Sequence, residues 1–108
     1  MTPIELATLI GNVLTQVDSK LTDPALPMSD PNWQTLYALR KHLDDLQRAL
    51  VQASIAEDDP SYPVLTKQIV DASADLQTVI KDAAKVTSAI AALSQIAGSL
   101  DQVLKLVP

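Results

Sequence analysis

One imidazole, His42, and no thiol are all that this chain offers to transition-metal or nucleophile chemistry. His42 stands between Lys41 and Leu43, just off a leucine-lined helix face, so it reads as a solvated flank residue, and carboxylates alone would have to complete a metal site around it. The acids do come in pairs: Asp44 with Asp45, Asp58 with Asp59, and Asp71 with Asp75. Paired acids on a polar helix face ordinarily act as solvating charges, and the calcium-loop pattern, with its central glycine and terminal glutamate, is absent. No metal site and no cofactor are expected.

Serines are frequent, but a serine nucleophile needs a base within hydrogen-bond reach and an oxyanion site, usually at a strand-to-helix elbow that this chain lacks. The two glycines, Gly11 and Gly98, both fall inside helical stretches, which leaves no glycine-rich loop to wrap a phosphate. Trp33 and Tyr37, four residues apart, have the spacing to anchor a partner peptide. The competing reading, that they pack over the neighbouring prolines, accounts for them as well. No catalytic residues are assigned, and the chain is expected not to be an enzyme.

The elements that must position these residues are helices. Hydrophobic residues make up 47% of the 108 residues and charged ones 19%, a balance that folds rather than stays disordered. Only 3% of the residues are aromatic, so the core must come from Leu, Ile, Val and Ala, which favours helix-on-helix packing. The length is that of a single domain, 1–108. With a net charge of −5, phosphate backbones and anionic bilayers repel it on average, and nucleic acid is not an expected partner. Met1-Thr2-Pro3-Ile4-Glu5 shows no positive region leading into an apolar run, so no signal peptide is expected and a cytoplasmic location is, with export by another route left open.

Thr2-Pro3-Ile4-Glu5 is a capping box with proline at the first helical position, and Leu6, Ile10, Val13 and Val17 continue it as a core-facing stripe. This first helix is expected over 3–22. Asp23-Pro24, Leu26-Pro27 and Asp30-Pro31 then make a stiff linker over 23–31. Asp30-Pro31 caps a second helix, 32–56, with Leu36, Leu39, Leu43, Leu46, Leu50 and Ala53 on its seam. After Ser61, read as a cap with Pro63 just inside the helix, apolar residues alternate three and four apart from Tyr62 to Val107 with no further internal proline.

That regularity predicts one long heptad-patterned helix over 62–107, with the two shorter helices packed end to end along it. The alternative is an up-and-down four-helix bundle with a break near residues 86–88, although Ile90 and Ala91 supply no capping partner there. In the unbroken arrangement, the half of the third segment without charges needs a further neighbour. The expected interaction surface is therefore Ala89, Ile90, Leu93, Ile96, Leu100, Val103 and Leu104. Its expected occupant is a second copy, in an antiparallel homodimer, or another helical protein. These features predict a non-enzymatic helical protein–protein interaction module, structural, adaptor or chaperone-like. The second reading is a membrane-active or secreted assembly component whose apolar C-terminal helix inserts or oligomerises. The bilayer version is disfavoured by the shortness of the uncharged run and the lack of a basic face.

Overall fold

The first helix begins where the capping box predicts. In the computed structural model, which describes residues 1–108, the Thr2 N–H donates to Glu5 Oε1 at 2.9 Å and the Glu5 N–H donates to Thr2 Oγ1 at 3.2 Å. The Thr2 backbone bond first, and its hydroxyl second, hold the Glu5 carboxyl below its ordinary pKa. This helix, α1, spans Pro3–Leu21. The linker then closes on itself, because Asp23 accepts the Ala25 N–H at 2.9 Å and Leu26 turns into the core. Asp30 accepts the Asn32 N–H at 2.8 Å and starts α2, Pro31–Gln52, with proline in its first turn.

α2 ends four residues before the position expected from sequence, at Gln52, and Ala53 is already extended. The cause is tertiary. The segment after it crosses the end of the bundle, where Ile55 packs against the core and the Ala56 N–H donates to Leu106 O at 2.7 Å. The next cap also differs from the expected one. Ser61 does not cap α3, Ser61–Val79; the Asp59 carboxylate does, accepting the Ser61 N–H at 2.8 Å.

The single long helix over 62–107 is not formed. α3 stops at Val79, a 3-10 turn occupies Ala83–Lys85, and α4 runs over Val86–Val103. The molecule is an all-helical bundle of four helices, as in the alternative, with the break a few residues earlier than 86–88. Asp82 makes the break: its backbone is extended, its carboxylate accepts the Ala84 N–H at 3.0 Å, and its carbonyl accepts the Lys85 N–H at 2.9 Å. A continuous helix over 62–107 would run about 69 Å, against a longest molecular dimension of 44 Å. Breaking it forfeits a few helix bonds worth about 0.5–1.5 kcal/mol each. Folding α4 back buries Leu93, Ile96 and Leu100 completely, and each such side chain contributes about 1.5–3 kcal/mol on leaving water. Burial wins.

α1 packs against α2 and α3, and α4 against α3 and α2. Arg40 of α2 meets Asp18 of α1 and Gln47 meets Ala7, so these two helices are antiparallel. Ser99 of α4 meets Gln68 of α3, again antiparallel. Tyr62, opening α3, donates to Met1 O at 2.8 Å, which sets α3 alongside α1 in the same direction. The chain thus runs up, down, up, down, with like-directed helices as neighbours across the middle. The centre is Leu6, Ile10 and Val17 of α1, Leu36, Leu43 and Leu50 of α2, Ile69 and Leu76 of α3, and Leu93, Ile96 and Leu100 of α4.

Candidate functional site

The seven residues expected to form an interaction surface do come together, but in the interior. Ala89, Leu93, Ile96, Leu100 and Val103 are buried within the monomer, and Ile90 and Leu104 are half-buried against the same core. The turn at Asp82 is the physical reason: once α4 folds back, its apolar side faces α3 and α2. The flank from which a homodimer was expected is thereby covered by the chain itself. No helix is long and apolar enough to cross a membrane.

The chemistry-bearing residues are dispersed. His42 is exposed on the outer side of α2. Asp44 is engaged by Arg48 at 2.9 Å and by Arg40 at 3.8 Å, and Asp71 by Lys67 at 2.8 Å. No three ligating side chains converge. Trp33 stacks on Tyr37 with ring centroids 5.2 Å apart, and its Nε1–H donates to Leu21 O at 2.8 Å, closing the end of α1. Lys20, buried at the far end of α1, pairs with Asp23 at 3.3 Å. The Asp23 carboxyl is held below its ordinary pKa by the Ala25 N–H and then by Lys20.

What the surface does present is an uncharged face centred on α1. This helix has no charged residue between Glu5 and Asp18. Two shallow grooves flank it. The groove toward α2 is lined by Ile4, Ala7, Thr8, Gly11, Gln47 and Val51, among others, and the groove toward α3 by Leu9, Gln16, Val70, Ser73, Ala74 and Gln77; Asn12 and Thr15 border both. No side chain lining either groove carries a formal charge. Ile4 is 81% exposed, Val51 70% and Val70 40%. Two buried side-chain oxygens along the α3 groove, Gln16 Oε1 and Ser73 Oγ, have no hydrogen-bond partner, which in an interior costs about 1–3 kcal/mol each.

Local sequence explains the relief of this face. Gly11 lets the Gln47 amide cross α1 and donate to Ala7 O at 2.9 Å, since a Cβ there would meet Gln47 Nε2 at 3.3 Å. Thr8 and Thr15 turn their hydroxyls back to Ile4 O and Gly11 O, at 3.0 and 3.1 Å. α4 is also uncharged over 86–100, but its outward residues are Thr87, Ser88, Ala91, Ser94, Gln95 and Gly98. It exposes no large apolar side chain, and Asp75 borders its groove with α3. The apolar period does not mark the α1 face, because that face consists of small polar residues rather than a hydrophobic stripe. The signal was present in the Thr8, Asn12, Thr15 stripe, which is polar yet free of charge. No protein-family model, curated protein or solved structure matches this chain.

Proposed function

We propose that this chain is a non-enzymatic helical protein–protein interaction module whose contact surface is the uncharged face of α1. One observation carries the reading: two adjoining grooves are lined without a single charge, on a molecule with 13 acidic and 8 basic side chains. Exposed Ile4, Val51 and Val70 stand among uncharged amides and hydroxyls there, a composition with the charge depletion typical of the centre of a contact surface. A helix laid along α1 would bury these groups. The heptad pattern of the third segment serves the bundle's own core in this reading, and the partner is another helical surface. A photo-crosslinking residue at Thr8, compared with one at Asp45 on the charged side of α2, tests it in the host cell. Discrete protein adducts from Thr8 alone are expected. No adduct from Thr8, or the same adducts from both positions, would sink the reading.

A further inference from the structure

We propose that α4 is exchanged between two copies of this chain: it opens about Asp82 and docks on α2 and α3 of a second copy, giving a two-fold dimer. The exchange does not use the α1 face, so it stands or falls apart from that reading. Ile80 and Val86 are helical on either side of the turn, at φ −63°, ψ −29° and φ −60°, ψ −35°, and Ala83–Lys85 form a 3-10 turn. Asp82 is extended, at φ −96°, ψ 111°. Turning that ψ toward the helical value of about −42°, with a smaller adjustment at Lys85 (φ −112°, ψ 23°), carries α4 off α3. The hinge sequence suits the opened form as well. Ile80-Lys81-Asp82-Ala83-Ala84-Lys85 holds no proline and no glycine, and alanine and lysine are strong helix formers.

A second copy is selected because it carries the surface that α4 fits. Leu93, Ile96 and Leu100 are completely buried where α4 packs on α3 and α2, and the same α2 and α3 stand uncovered on any copy whose own α4 has opened. In the exchanged dimer these contacts are remade between chains, including the Ser99–Gln68 bond and the bond from the Ala56 N–H to Leu106 O. Val79, Ala83 and Val86 continue the three-and-four alternation through the hinge. The opened helix therefore keeps its apolar seam on one side, where the opened helix of the second copy lies antiparallel. Charge does not oppose this. The side chains of residues 86–108 include one acid, Asp101, and one base, Lys105, and each hinge holds both signs in Lys81, Asp82 and Lys85. Since the buried contacts are the same in both forms, the hinge and the concentration decide the balance. Closure within one chain competes at an effective concentration on the order of 1 mM, and the helix bonds regained at the hinge move the balance to lower concentrations.

The chain has no cysteine, and Thr78 and Ala91, both exposed, line the groove between α3 and α4. Thr78→Cys with Ala91→Cys, refolded at about 1 µM and at about 1 mM and then joined by a short bismaleimide after dilution, reads which chain supplies α4. Linked single chains are expected after dilute refolding. Linked pairs of twice the 11.6 kDa chain mass should be at least tenfold more abundant after concentrated refolding, and should approach twice the 44 Å length of the monomer in small-angle scattering. Ala83→Pro holds Asp82 extended, because the helical region is disfavoured for a residue before proline. It should lower the yield of pairs at least tenfold while keeping helical circular dichroism. Links within single chains alone at both concentrations overturn the proposal. So do pairs formed equally by Thr78→Cys without Ala91→Cys, which would need no exchange, and an undiminished yield from Ala83→Pro, which would place the hinge elsewhere.

Discussion

In the α1/α2 hairpin, polar side chains cross between the helices at three levels. Trp33 reaches Leu21 O, Arg40 grips Asp18 with bonds of 2.8 and 3.1 Å, and Gln47 reaches Ala7 O. In the α3/α4 hairpin one chain of side-chain bonds, from Gln95 through Ser99 to Gln68, joins the helices. Almost everything else between them is aliphatic. The two turns differ in the same sense. The first is built by three prolines between residues 24 and 31, and the second by the single carboxylate of Asp82. Directional bonds and stiff residues set the first hairpin locally, whereas the second is held shut by burial and needs only a weak local signal to turn.

The largest expected effect is on the burial-held hairpin. Leu93→Asp should cost about 4 kcal/mol or more, because it places an unpaired charge where no water reaches. Gln95→Asp, two residues on and exposed, loses only the bond to Ser99 Oγ and should cost about 1 kcal/mol. Chemical denaturation followed by circular dichroism separates them, and equal losses would mean that α4 is rotated from the orientation described. By the same logic, Ile96→Glu should unfold the monomer.

The next pair of substitutions sharpens the contrast between the turns. Trp33→Phe removes the bond to Leu21 O and should cost about 1–2 kcal/mol, while Asp82→Ala removes a cap and should cost about 1 kcal/mol. Neither should lengthen the monomer beyond its 44 Å in small-angle scattering. A longer monomer for Asp82→Ala would show that the carboxylate, and not burial, decides the second turn.

The two glycines divide in the same way. Nothing lies within 4 Å of a Cβ built at Gly98, so Gly98→Ala should stabilise by about 0.5–1 kcal/mol. Gly11→Ala should gain little or lose, because the added methyl group meets the Gln47 amide. Thermal melts of both variants check this, and an equal gain at the two sites would remove the role given to Gly11.

The smallest expected effect concerns alkaline pH. Burial first, and then the negative charges of Glu57 and Glu5, push the Tyr62 hydroxyl above its ordinary value of 10.0. Its contribution is therefore fully present below the unfolded value, and it is lost as pH rises from about 10 through the folded one. Stability should fall over that window, and Tyr62→Phe should flatten the fall in denaturation curves taken across it.

Residues that act on their near neighbours were legible from the chain alone. Thr2, Glu5, Asp30 and Pro31 mark the helix starts because capping is a matter of three or four residues. The leucines and isoleucines of the core declared themselves by period: on the α2 seam every leucine but the half-buried Leu39 is buried, while Leu9, Leu21, Ile90 and Leu104 are half-buried against the same core. The seam of the third segment was likewise read correctly as apolar, and from Tyr62 to Leu76 every one of its positions is buried.

Periodicity says which side of a helix avoids water, but not what covers that side. A heptad seam continuing through Ala83 is equally compatible with one long helix and with two that fold onto each other. The choice belongs to the free energy of burying Leu93, Ile96 and Leu100 in the same chain, a sum over contacts between residues far apart in sequence. The early end of α2, where Ile55 and Ala56 leave the helix to meet the core and Leu106, has the same origin. So does the α1 face: Thr8, Asn12 and Thr15 are an unremarked polar stripe in the sequence. They became a candidate contact surface only when packing set uncharged side chains of α2 and α3 on both sides of them.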